Sequence, residues 1–109
     1  MANIFMSVEA ERDLEQIGDY IAKQFKSPKT ALNTMRKIKM RINELEDFPL
    51  IGTPVSSIIA VDTDYGFLGC GSYLTFYHTQ NGNVLIDRVF HVRQDYITIL
   101  LGDIVEDEQ

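Results

Sequence analysis

The stretch SYLTFYHTQNGNVLIDRVFH, residues 72–91, decides the fold. Both of its halves are rich in β-branched and aromatic residues, and Asn81-Gly82 separates them. That dipeptide is the strongest short-range hairpin signal, because a type I′ turn needs positive φ at both central positions. With Asn81-Gly82 as the loop, Tyr77 faces Ile86, Thr75 faces Arg88 and Tyr73 faces Phe90. Leu74 with Val89 and His78 with Leu85 then occupy the opposite face. A slip of one residue would exchange the two faces.

Working outward, residues 58–61 and 65–70 show the same strand-like composition between glycine or Asp/Asn punctuation, and residues 4–6 form a short apolar edge strand. Between them the period is helical. Ser7 can cap a helix, with Glu9 and Glu11 in the first turn, where the helix dipole favours acids. Ala10, Leu14, Ile17, Ile21 and Phe25 recur at spacings of three or four and make one apolar face. Ser27-Pro28 closes this helix and opens another, serine as cap and proline in the first helical position. Its stripe is Ala31, Met35, Ile38, Ile42 and Leu45. Phe48-Pro49, Gly52 and Pro54 break the pattern into a loop. Past the hairpin, residues 95–101 read as a short last helix. The expected fold is therefore α+β: an N-terminal helical hairpin packed on one face of a mainly antiparallel four-stranded sheet, with a short C-terminal helix. One domain spans residues 1–105, and 106–109 is an acidic tail.

Composition narrows the class. A chain of 109 residues with 45% hydrophobic and 24% charged residues is an ordinary globular domain with one core. No apolar run approaches the length that spans a bilayer. The first residues show no positive region followed by an apolar one, so no signal peptide is visible and the cytoplasm is favoured. The single cysteine, Cys70, offers neither a disulfide framework nor a metal pattern, and His78 is remote in sequence from other ligand types, so no metal or cofactor is expected. Residues 1–57 balance eight basic against eight acidic side chains; residues 58–109 hold two basic and eight acidic, which accounts for the net charge of −6. The seven basic residues between Lys23 and Arg41 make a local stripe, not the dominant basic face of a nucleic-acid binder.

Ionisable groups gather at the end of the last strand: Arg88, His91, Arg93, Asp95 and Tyr96. His91 has the range for acid–base work near neutral pH, or it merely hydrogen-bonds to backbone. Arg88 with Asp87, Arg93 and Asp95 can bind a target or form an ion-pair cluster tying the last helix to the sheet. Tyr73 and Tyr77 can stack on a base or pack across strands. Tyr96 contacts a target or covers the core. Cys70, between two glycines, lacks cationic neighbours that would activate it.

In this order the pieces resemble the RelE/ParE toxin superfamily of bacterial type II toxin–antitoxin modules. The resemblance rests on Ala10-Glu11-Arg12-Asp13-Leu14 with Ile17 and Tyr20, on residues 42–45 with Phe48-Pro49 and Gly52, on Ser72-Tyr73-Leu74-Thr75-Phe76-Tyr77, and on Arg88-Val89-Phe90-His91 followed by Arg93 and Asp95-Tyr96. The closing segment looks more like the ParE-type and plasmid-stabilisation members. The resemblance implies a small cytoplasmic toxin that arrests growth and is held inactive by a co-expressed antitoxin. RelE-like members cut mRNA in the ribosomal A site; ParE-like members poison DNA gyrase and make or break no covalent bond themselves.

RNA cleavage needs a base for the 2′-hydroxyl, cationic support for the phosphate and an acid for the leaving oxygen. The superfamily commonly carries an arginine just before the aromatic strand, and residues 65–71 here hold no basic residue. A ribonuclease would have to work with Arg88, His91 and Arg93, so its catalytic residues are otherwise unknown. ParE-like inhibition of gyrase leads, with Arg88, His91, Arg93 and Tyr96 as target contacts. Ribosome-dependent mRNA cleavage is the alternative, with ribosome and mRNA as partners. A degenerate, non-toxic member that only binds antitoxin, or an unrelated α+β module, also stays open. The resemblance further implies an antitoxin wrapped around the helical hairpin and sheet. The basic stripe of Lys29, Arg36, Lys37 and Lys39 suits its acidic residues. No membrane partner is expected, and homo-oligomer or hetero-oligomer with the antitoxin is left open.

Overall fold

The computed structural model describes residues 2–107. A short strand β1 (Ile4–Met6) leads into helices α1 (Val8–Gln24) and α2 (Pro28–Asn43). A loop holding the two-residue strand β2 (Thr53–Pro54) precedes the strands β3 (Gly66–Cys70), β4 (Tyr73–Gln80) and β5 (Asn83–His91), and helix α3 (Tyr96–Asp107) follows. The strands form one sheet in the order β1-β5-β4-β3-β2, with β1 parallel to β5 and the other neighbours antiparallel.

The helix ends are as the sequence suggests. Ser7 accepts a hydrogen bond from the Ala10 N–H through its side chain, and Ser27 does the same for Thr30. Between the helices Lys26 takes positive φ and the Ser27 N–H reaches back to the Ala22 carbonyl, so α1 ends in a Schellman turn with lysine where glycine is usual. The hairpin of β4 and β5 turns on Asn81 and Gly82, both at positive φ.

Three expectations are corrected. The sheet has five strands, not four: Thr53–Pro54 adds an edge strand on β3. Residues 58–61 are not a strand. They follow a 3₁₀ turn (Val55–Ser57), and Ile59 and Val61 pack as a plug against the core. An apolar run of four residues cannot by itself distinguish those two fates. The last helix also runs to Asp107 rather than ending near residue 101. Of the expected acidic tail, residues 108–109 lie outside the described residues.

Register departs from a regular hairpin halfway along. Tyr77 pairs with Ile86 and His78 with Leu85, as expected, but Phe76 pairs with Arg88, Thr75 with Val89, Leu74 with Phe90 and Tyr73 with His91. The extra residue is Asp87, a β-bulge. Its cause lies in the two cores, one on each face of the sheet. Val84, Ile86 and Val89 pack with Leu14, Ile38 and Ile42 of the helical hairpin. Phe90 packs with Phe76, Val55, Tyr65 and Leu100 on the other face. Ile86 and Val89 are three apart, and in an unbroken strand they would point to opposite faces. The bulge returns both to the hairpin side and sends Phe90 to the other. Phe76 and Phe90 are fully buried there, each ring contributing about 1.5–3 kcal/mol.

The loop before β2 is pinned by Tyr77. Its hydroxyl oxygen accepts from the Gly52 N–H at 2.9 Å. Burial raises the Tyr77 phenol above the usual tyrosine range, while the Gly52 N–H and the Arg41 charge pull it back. A Cβ on Gly52 would stand 2.4 Å from that hydroxyl and 2.9 Å from the Phe67 carbonyl oxygen, so only glycine fits. Gly52→Ala is expected to destabilise the fold by about 1–3 kcal/mol through overpacking. An unchanged urea midpoint would show that the loop is not held this way.

Candidate functional site

The site is built where β1 runs out. The Ser7 N–H still reaches the Ile86 carbonyl, and the Ser7 hydroxyl donates to the Asp87 carbonyl at 2.8 Å. Beyond that point Asp13 of α1 takes over the outer edge of β5. Its Oδ2 accepts from the Val89 N–H at 2.9 Å and from Arg88 Nε at 2.8 Å, and its Oδ1 accepts from Arg88 Nη2 at 3.0 Å. Arg88 and Asp13 are 19% and 12% exposed, so the contact is largely shielded from water. The Arg88 guanidinium also lies 4.6 Å from the centroid of the Phe90 ring. The expected cluster of Arg88 with Asp87 thus takes another form: Arg88 pairs with Asp13. Asp87 lies 2.6 Å from His78 Nδ1, and the His78 ring stacks on Tyr65 at 4.7 Å.

Between α1 and the ends of β4 and β5 lies a groove of about 360 Å³. Gln16, Ile17 and Tyr20 form one wall; Tyr73, Val89, His91, Arg93 and Gln94 form the other, with Asp13 at its base. His91 is fixed from three sides. Its backbone N–H donates to Gln94 Oε1 at 2.8 Å, its Nδ1 accepts from the Arg93 N–H at 3.0 Å, and its ring meets Tyr73 edge-on at 5.3 Å. A ring nitrogen that accepts a backbone proton holds the lone pair of the neutral imidazole, so the ring proton sits on Nε2. His91 therefore offers a donor at Nε2. Burial, and secondarily the neighbouring Tyr20 phenol, raises the Tyr73 phenol above its ordinary value.

Of the four residues singled out for target contact, His91 and Arg93 come together in this groove. Arg88 is engaged by Asp13 beneath it. Tyr96 lies on the other face, its ring 5.7 Å from Phe76 and 6.5 Å from Phe90, where it covers the second core. Gln16, Tyr20 and Gln94 were not singled out for this site by the sequence. Tyr20 stands at helical spacing from Asp13 and Ile17, the only local hint that it shares their face. Lys29, Arg36, Lys37 and Lys39 are all exposed on α2, and Leu32 and Met40 are exposed among them. Cys70 is half-buried beside the hairpin core. Among the described residues no group of three or more His, Cys, Asp or Glu is placed to hold a metal ion, and no helix is long and apolar enough to cross a membrane.

This architecture has known counterparts. The family model described as the ParE toxin of the type II toxin–antitoxin system, parDE, matches residues 4–96. The chain belongs to that family of toxins. Among solved structures, a chain of the chromosomal ParDE TA system from P. aeruginosa shares the fold, with a TM-score of 0.71 and 17% identity over 84% of this chain and 96% of that one. No curated protein matches the sequence.

Breaking the Asp13–Arg88 contact from one side leaves a shielded charge uncompensated, the carboxylate in one case and the guanidinium in the other. Arg88→Ala is expected to cost about 2–3 kcal/mol of stability, and Asp13→Asn less, because the amide oxygen still accepts from Val89. Urea denaturation of the two variants checks the order; equal midpoints to the parent chain would remove the contact from the list of stabilising features.

Proposed function

We propose that this ParE-family toxin acts by inhibiting DNA gyrase, and that a co-expressed antitoxin neutralises it by binding over its helical hairpin. The observation that carries the non-catalytic reading is the state of His91. A base for a ribose 2′-hydroxyl needs an exposed lone pair, and the one on Nδ1 is occupied by the Arg93 N–H. The supporting cations are also few: residues 65–71 contain none and Arg88 is neutralised by Asp13, which leaves Arg93 as the guanidinium lining the groove. What is left is a recognition surface of Arg93, His91, Tyr20 and Tyr73, suited to holding a partner rather than cleaving one. Family membership, together with the resemblance to ParE-type members, supplies the gyrase assignment, and a gyrase inhibitor works in the cytoplasm without a cofactor.

For the antitoxin, charge complementarity supports α2. Lys29, Arg36 and Lys39 with Leu32 and Met40 fall on one outward arc, with Lys37 at its margin, so an acidic segment with apolar anchors fits it. Exposed charges act mainly on encounter and register. The double variant Arg36→Glu/Lys37→Glu is expected to weaken antitoxin binding about five- to tenfold at low salt, the difference shrinking as salt rises. Unchanged affinity at low salt would move the antitoxin to another face.

Pulse-labelling after induction without antitoxin, combined with a supercoiling assay on purified gyrase, tests the target. DNA synthesis is expected to fail first, and supercoiling to be lost at stoichiometric toxin. Early loss of protein synthesis with supercoiling intact would overturn gyrase inhibition.

A further inference from the structure

The groove beside His91 has an unusual polarity. Its one carboxylate, Asp13, already accepts three hydrogen bonds from Arg88 and Val89, and its charge is balanced by the Arg88 guanidinium. Its remaining polar groups can all donate: the Arg93 guanidinium, which is exposed; His91 through Nε2; the hydroxyls of Tyr20 and Tyr73, which can also accept; and the amide of Gln16, which offers both NH₂ and carbonyl. Gln94 keeps its amide NH₂ available, since its oxygen is taken by the His91 N–H. Ile17 and Val89 supply the apolar part of its two walls. A cavity with donors at its mouth and methyl groups on its walls fits a short aliphatic stem that ends in an anion.

We propose that this groove is a carboxylate-recognition pocket for a peptide segment, taking one Asp or Glu side chain from a partner protein. The carboxylate lies between Arg93 and His91 Nε2–H, and its stem packs on Ile17 and Val89 between the two tyrosines. Stoichiometry of charge decides between anions. Nucleic-acid binding gains its affinity by neutralising several phosphates in a row, whereas the groove lining holds one guanidinium outside the Asp13 pair. One guanidinium and one imidazole N–H donor match one carboxylate. The chain's net charge of −6 further disfavours a polyanion over a single local carboxylate. This deepens the reading of the groove as the target-facing surface and rests on it.

The test is an amide chemical-shift titration of the intact chain, which involves no gyrase. The probes are acetyl-Leu-Glu-amide, its Gln isostere, inorganic phosphate and a ribonucleoside monophosphate. The Glu peptide is expected to give saturable shifts at Gln16, Tyr20, Tyr73, His91, Arg93 and Gln94, and the Gln isostere to bind at least about fivefold more weakly. Arg93→Gln, an exposed position, is expected to remove that preference while leaving the rest of the spectrum in place. A long-range ¹⁵N spectrum of His91 is expected to show the proton on Nε2. Equal binding of the Glu and Gln peptides, or no saturable shift, overturns the proposal, as does tighter binding of phosphate or the nucleotide. Carboxylate selectivity without gyrase inhibition would sink the gyrase reading alone; inhibition without selectivity would sink the pocket alone.

Discussion

The contact of Asp13 with Arg88 and the Val89 N–H, joining residues 75 and 76 apart, sets the rest of the molecule. β1 is three residues long and its pairing stops at Ile86, which would leave the outer edge of β5 open to water and to other strands. A carboxylate from α1 closes that edge. One oxygen continues the hydrogen-bond ladder, and both hold the guanidinium side-on, a geometry that specifies direction as well as distance. Because Asp13 sits in the second turn of α1, the contact also fixes the rotation of the helix. Ala10 and Leu14 face the sheet, and Gln16, Ile17 and Tyr20 rise as a wall opposite His91. The groove exists because the edge is sealed in this way. The same contact removes Arg88 from the chemistry of the groove it builds.

The Asp87 bulge is the second constraint, and it explains what could be read from the sequence. Local signals were legible: Ser7 and Ser27-Pro28 as caps, Asn81-Gly82 as the turn, and the pairs next to it, Tyr77 with Ile86 and His78 with Leu85. Each depends on residues only a few positions apart. Past the bulge the pairs shift, because Val89 is drawn to the hairpin core and Phe90 to the core under α3. A period-two count assumes a single buried face, and this sheet is buried on both. The same ambiguity hid β2, whose proline sits at a sheet edge, and made residues 58–61 resemble a strand when they plug the second core.

Legibility of the site follows the same rule. His91 and Arg93 stood out because ionisable groups at a strand end are rare in a small chain. Their true surroundings, Tyr20 and Gln16, come from a helix far away in sequence, and only packing brings them together. Arg88 looked available because its nearest acid in sequence is Asp87, yet Asp87 turns to His78 and Arg88 to Asp13. Adjacent residues at a bulge serve different partners, and sequence proximity is a poor guide to ion pairing there. Tyr96 drew attention for its place beside the cluster, whereas the turn after β5 carries it round to Phe76 and Phe90.

Charge then separates the scales at which partners are selected. At ordinary ionic strength a field fades within about 8–10 Å, so the net charge of −6 bears on approach while local groups govern contact. Approach by nucleic acid is disfavoured over the whole surface. At contact the chain offers two small cationic or donor-rich features on different elements: the arc of Lys29, Arg36, Lys37 and Lys39 on α2, and the Arg93–His91 mouth of the groove. Each suits a short acidic segment with apolar neighbours, and the groove lining holds one guanidinium rather than the run of cations that a phosphate backbone requires. In the proposed function both antitoxin and target are proteins, and a small domain that carries this pattern on a two-core sheet suits recognition through a few localised contacts. The imidazole of His91, its lone pair spent on its own turn, belongs to that scheme as a positioned donor.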